Sequence, residues 1–308
     1  MIPALWIASL WIWQQIFALL LLTFFTFFLQ GPSTHFQEVS DTILNYQMIA
    51  QAGAWLIFAL MAQQWGLCEQ SEFGDFQKIR SRFLPAFLRG ATAASALLAA
   101  FWSAGYLDVL GILSGADEGP NLIWSVLIRV IALAVFCWLD EWFWRQQIQS
   151  KIPTSWTPQL NTPLRPESKW LTWIESPKTL AALALIALGS TAIKSIGFEL
   201  SWSQKLTVFL LSLFLSLRYR RVGEWGSGAG LVAGFLILLH PVAGLPIFGI
   251  EVSGLFMARY QAYEGFETWS RLFSGGSGGP LASAALQLLL ATEIVRRILK
   301  IQFRRSRP

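Results

Sequence analysis

Asp140, Glu141 and Arg145 in "DEWFWR", with His240 in "GFLILLHPVAG", are the residues of this sequence best equipped for chemistry. Glu141 and Arg145 stand four apart with the acid N-terminal to the base, so on a helix they pair along one face. Asp140 is turned about 100° from Glu141 and points elsewhere. A carboxylate that shares a water with a neutral imidazole is a general-base arrangement: the acid takes the proton, and the imidazole orients the water or the oxyanion that follows. The opposing reading is electrostatic anchorage. Trp138, Trp142, Phe143 and Trp144 surround the acids as an aromatic interface belt would, and a Glu–Arg pair in such a belt can snorkel to water. A charge costs about 2.5 kcal/mol or more at a bilayer centre and less near its edge, so depth decides between the two readings.

The elements that must position these residues are membrane spans. The 308-residue chain is 54% hydrophobic and 13% charged, against about 25% charged for a soluble domain. Residues 1–308 read as a single integral membrane domain, an all-α polytopic bundle. Spans are expected near 4–29, 47–67, 86–112, 122–148, 179–198, 203–217, 228–255 and 281–301, about eight transmembrane helices. No soluble P-loop or Rossmann domain fits between them. The apolar N-terminus reads as a retained first span rather than a signal peptide. The seventh span contains Pro241, Gly244 and Pro246, which could split it into two crossings; that would send the basic tail outside, so one broken or kinked helix is expected.

Basic residues set the orientation. Met1 to Gln77 contains no Lys or Arg, and the first connection carries Glu38 and Asp41. Lys78, Arg80, Arg82 and Arg89 follow; then come acidic Asp117 and Glu118, then Lys151, Arg165, Lys169 and Lys178, then Arg218, Arg220 and Arg221, and finally Arg296 to Arg307. The positive-inside rule makes all these basic groups and both termini cytoplasmic. Residues 149–178 form a cytoplasmic interfacial loop with Trp170 and Trp173 at headgroup level. Span four then runs inward and span seven outward, which brings Glu141 and His240 to similar depths.

The other candidates are structural. Cys68 and Cys137 show no metal or redox spacing, and with only two histidines, one of them His35 in the first external loop, no zinc site and no cofactor are expected. Lys194 is expected to pair with Glu199 across a turn, and Arg129 to be paired inside the bundle. Gly90, Ala91, Ala93, Ala94, Ala96, Ala99 and Ala100 make a small-residue face for close helix packing, and "PLASAALQLLLA" offers a second one. The basic residues serve topology; no nucleic-acid-binding domain is present.

"DEWFWR" and the later stretch "SLFLSLRYRRVGEWGSGAGLVAGFLILLH" resemble the CPBP family, the CAAX proteases and bacteriocin-processing enzymes also known as Abi intramembrane glutamic endopeptidases. The resemblance covers about residues 120–245, a CPBP-like core, and implies a bacterial cytoplasmic membrane. It implies that Asp140 stands where the family has the first Glu of Glu-Glu-x-x-x-Arg, the base that activates water, and that His240 is the second catalytic His. Three departures follow. Asp140 is one methylene shorter; span five has no His, with Lys194 or Thr191 at that place; and Gly244, four residues after His240, has no side chain to complete an oxyanion hole.

Three functions remain open at this stage. In the first, an incomplete protease site makes the chain a non-catalytic scaffold or partner subunit that holds another integral membrane protein among the membrane lipids. In the second, it is an active intramembrane endopeptidase with Asp140 or Glu141 as base, His240 as partner and Arg145 orienting the acid. The third is a small-molecule or lipid transporter, which needs a continuous polar path.

Overall fold

The computed structural model of the chain describes residues 49–57, 59–61, 76–112, 120–151, 177–198, 200–247, 254–260 and 267–304, with a few isolated positions before them. His35, Cys68, Asp117, Glu118, Glu199, nearly all of the expected first span and most of the interfacial loop 149–178 lie outside these residues. The described chain is mostly helical: α1 (Ile49–Met61), α2 (Phe76–Ser103), α3 (Pro120–Glu141), α4 (Pro177–Gly197), α5 (Trp202–Val222), α6 (Gly226–Ile237), α7 (Glu267–Ser274) and α8 (Ala284–Arg304). Two helices, Ser81–Ser103 and Lys178–Ser195, are long and apolar enough to cross a membrane.

Local chemistry explains where several elements begin and end. Pro120 opens α3 at a position where its missing N–H costs nothing. Ser201 and Gln204 form a reciprocal capping box at the start of α5, and Gly223 at φ +70° ends it, its N–H returning to the Tyr219 carbonyl. The rod that begins as α3 does not stop at Glu141. It continues as a π-helical turn, Trp142–Ile148, and a 3-10 turn, Gln149–Lys151. A second π turn, Leu238–Val242, extends α6 across Pro241. Proline cannot donate to the ladder, and the widened turn re-pairs the backbone, with the Ala243 N–H reaching the Leu238 carbonyl at 3.0 Å.

Two expected spans end early. The seventh does not run from 228 to 255: its helix stops at Val242, and Gly244 at φ +70° turns the chain. The third stops at Ser103 rather than 112. The residues beyond each meet as an antiparallel ribbon, β1 (Leu107–Ile112) on β2 (Phe256–Tyr260), with an irregularity between Val109 and Gly111. The helical class therefore holds except for this two-stranded piece.

Among the described helices α2 and α6, which run parallel, pack backbone against backbone. A Cβ on Gly90 would lie 2.0 Å from the Leu231 carbonyl oxygen, one on Gly230 2.4 Å from that of Phe83, and one on Gly234 2.0 Å from that of Phe87. Backbone meets backbone, as small residues permit. The expected alanine face divides: Gly90 and Ala94 point inward, whereas Ala93, Ala96, Ala99 and Ala100 are exposed. Helix α3 packs on the other side of α6, α4 packs on α5, and α5 packs on α8.

Candidate functional site

The acids of "DEWFWR" lie where α3, α4, α5 and α6 converge. Asp140 accepts two hydrogen bonds from Lys194 Nζ of α4, at 2.7 and 2.9 Å, and the same ammonium donates to Ser190 Oγ at 2.8 Å. Ser190 is one turn earlier on α4, so a single helix face presents both groups. Lys194 is thus paired with Asp140, fifty-four residues away in sequence; Glu199, its expected partner, lies outside the described residues.

Glu141 takes the other direction, as the 100° offset requires. Arg145 Nε donates to Glu141 Oε2 at 3.2 Å and Nη2 to Oε1 at 3.4 Å, the expected pair. The guanidinium is then anchored to α5: Nη1 donates to Ser216 Oγ at 2.6 Å, and Nη2 reaches the Ser212 carbonyl at 3.0 Å and Ser212 Oγ at 3.2 Å. Ser216 Oγ in turn donates to the Ser212 carbonyl at 2.9 Å. Below this layer Gln149 Nε2 donates to the Ser216 carbonyl at 2.9 Å, and the Tyr219 hydroxyl to Gln146 Oε1 at 3.1 Å. Every nitrogen of the Arg145 fork is used, so a buried cation is satisfied from two sides.

Snorkelling is overturned by burial. Glu141 is 3% exposed and Arg145 1%, and Trp142, Phe143 and Trp144 are buried with them, so the aromatic run is core rather than an interface belt. Burial of four consecutive side chains needs neighbours on every side of the rod. The cavity beside the acids is about 30 Å³, room for about two waters. Asp140, Glu141, Ser190, Lys194 and Ser212 line it with Val232, Leu236 and other apolar groups. Ser212 is at the midpoint of α5, so the site is at mid-bundle rather than at a helix end.

Gly228 completes the Glu141 environment: a Cβ there would stand 2.6 Å from Glu141 Oε2. Gly228→Ala is expected to push the carboxylate off Arg145 and lower stability by about 1 kcal/mol, despite alanine's better helix propensity. In a Glu141→Ala background the same change should stabilise, by up to about 1 kcal/mol, because only the propensity gain remains. Thermal unfolding of the four proteins in detergent checks this; an unchanged sign in both backgrounds would refute the contact.

His240 is not part of this cluster. It is 1% exposed, one turn beyond Leu236 on α6, and its Nδ1 is 3.0 Å from the Leu245 carbonyl, closing the turn that ends the helix. It does not line the cavity, and the charge acting on it from outside its own turn is that of Arg129. Of the four expected site residues, Asp140, Glu141 and Arg145 are brought together and His240 is set in the adjoining layer. Thr191, the other residue at the place of the family's first His, donates to the Ala187 carbonyl at 2.8 Å.

Ser190, Ser212 and Ser216 are site residues that sequence reasoning did not assign here, and Lys194, expected at the place of the family's first His, is the group that meets Asp140. Signals existed: a lone Lys in the apolar run "LAALALIALGSTAIKSIGF" demands a buried acid, and Asp140 was the acid without a partner. The serines of "SLFLSL" stand four apart in an otherwise apolar stretch. Among the described residues no group of three His, Cys, Asp or Glu is placed to hold a metal ion. Comparison of the chain with known protein families, with characterised proteins and with solved structures finds no match in any of the three.

Proposed function

We infer that the chain is a polytopic protein of about eight spans in a bacterial cytoplasmic membrane, serving as a non-catalytic scaffold or partner subunit for another integral membrane protein. The membrane part of this reading rests on an inside-out pattern. Ile123, Trp124, Leu127 and Ile131 of α3, Leu185 and Leu188 of α4, and Leu288 and Leu289 of α8 are exposed, whereas Asp140, Glu141, Arg145, Gln149 and His240 are buried. Lipid solvates such a surface and water does not.

The observation that carries the non-catalytic part is that both carboxylates are held in ion pairs with cations of the same chain. A general base must hold a free lone pair toward the proton it takes from its water. Here an ammonium and a guanidinium occupy the acids, and the group facing Asp140 is Lys194. The cluster serves as a clasp joining α3 to α4 and α5. One feature favours the second reading, an intramembrane endopeptidase: Asp140, Glu141 and two serine side chains share a cavity that admits water.

Purification of wild type and Glu141→Gln in mild detergent, with mass spectrometry of what accompanies each, separates the two. The scaffold reading expects a stoichiometric membrane protein retained equally by both. A protein accumulating uncut on Glu141→Gln alone would replace it with the protease reading.

A further inference from the structure

The Asp140–Lys194 and Glu141–Arg145 pairs balance their own charges, but a second cluster does not. Arg218 stands one turn before the end of α5, and its Nε lies 3.4 Å from Ser227 Oγ at the start of α6. Arg297 of α8 stacks its guanidinium 4.4 Å above the ring of Phe214, which is one turn before Arg218 on the same helix. Arg89 of α2 is next to Gly90, which touches Leu231, one turn beyond Ser227 on α6. Arg297 and Arg218 thus stand one turn apart along α5, and α2 carries Arg89 toward the same end of α6. Arg218 is within reach of the charges of both Arg297 and Arg89.

The acids nearby are taken. Glu224 pairs with Arg82, Glu293 is shared by Arg296 and Arg297, and Glu141 is held by Arg145. Among the described residues neither Arg89 nor Arg218 has an ion-pair partner. Arg218 is half-buried and Arg89 exposed, so the cluster opens outward while its inner member is partly removed from water. Arg297 already has Glu293 as its counter-charge, which leaves Arg89 and Arg218 without one among the described residues; an anion between them would offset the repulsion, and guanidinium forks match phosphate oxygens in geometry. On the topology inferred above, the α5–α6 connection and the end of α8 face the cytoplasm, where the leaflet carries anionic phospholipid.

We propose that Arg89, Arg218 and Arg297 form a seat for a phosphate-bearing anion, supplied by the headgroup of an anionic phospholipid entering between α2, α5 and α8. The seat rests on the membrane reading.

The test uses full-length protein, washed free of lipid in detergent and titrated with short-chain phosphatidylglycerol, with phosphatidylcholine of equal chain length, and with inorganic phosphate. Native mass spectrometry and thermal unfolding are the readouts. Phosphatidylglycerol is expected to bind and raise Tm at concentrations about tenfold or more below phosphatidylcholine. That preference should vanish in Arg89→Gln/Arg218→Gln, survive in Arg218→Lys, and survive in Arg220→Gln/Arg221→Gln, which loses the same net charge beside the seat. Inorganic phosphate displacing the lipid at equal concentration would uphold the seat and make free phosphate its occupant. Equal binding of the two lipids, or equal loss in both double variants, would overturn the proposal. Carbonate extraction of cell membranes tests the parent reading separately: a chain released by carbonate refutes the membrane assignment, whereas a retained chain without lipid preference refutes the seat alone.

Discussion

Lys194→Met is expected to destabilise the folded chain by about 3–5 kcal/mol, the cost typical of stranding one member of a buried ion pair. The side chains of Lys194 and Asp140 are 11% and 10% exposed, and removal of the ammonium leaves a carboxylate without its counter-charge in a cavity lined largely by apolar groups such as Phe136, Val208 and Leu236. Asp140→Leu should cost a similar amount by stranding the ammonium instead. The double variant Asp140→Leu/Lys194→Met is expected to recover most of the loss, since a buried pair exchanged for apolar groups of similar volume is often neutral or better. Denaturant or thermal unfolding of the four proteins in one detergent measures the cycle. If the double variant is as unstable as the singles, shape rather than charge sets the cost. The cycle also bears on function, because a clasp tolerates the apolar exchange and a catalytic acid does not.

Gly234→Leu is expected to leave no correctly folded protein. Even a Cβ at this position would stand 2.0 Å from the Phe87 carbonyl oxygen, and backbone cannot move aside as a flexible side chain would. Overpacking in a tight core commonly costs about 1–3 kcal/mol, and a contact between two helix backbones is at the upper end or beyond. Gly90→Leu and Gly230→Leu, on the same seam, should behave alike. Ala93→Leu and Ala96→Leu are the contrast: both positions are exposed on α2 and should remain folded. The amount of monodisperse protein after size exclusion reads the series, and a disulfide between cysteines placed across the seam reads the helix spacing directly. A folded Gly234→Leu protein would mean that α2 and α6 are not in backbone contact.

These two variants also mark what the sequence disclosed. Glu141 with Arg145 was legible because spacing along one helix fixes it. Asp140 with Lys194 was not, because the partner is on another helix and no local pattern says which acid a buried cation meets. A small-residue face was legible in "LRGATAASALLAAF", but composition does not say which way it turns. Gly90 faces α6, and most of the alanines face outward. The end of α6 was legible only as a choice between one broken span and two crossings. The ribbon beyond the π turn across Pro241 depends on Leu107–Ile112, which hydropathy had assigned to a helix, pairing with Phe256–Tyr260, which lay outside every expected span. His240 looked like a depth-matched partner for Glu141, yet one helical turn was enough to place it in a different layer.

The α2–α6 seam also dictates an order of biosynthesis. Gly90 and Gly234 are separated by roughly 140 residues, so at a synthesis rate of about 5–20 residues per second α2 waits on the order of 10 s or longer for the helix it packs against. Until then its glycine-bearing stripe is open to any other small-residue helix nearby. An insertion factor that shields nascent spans would therefore have its longest engagement with this chain at α2, and variants slowed in translation between the two helices should be degraded more than equally stable ones slowed after them.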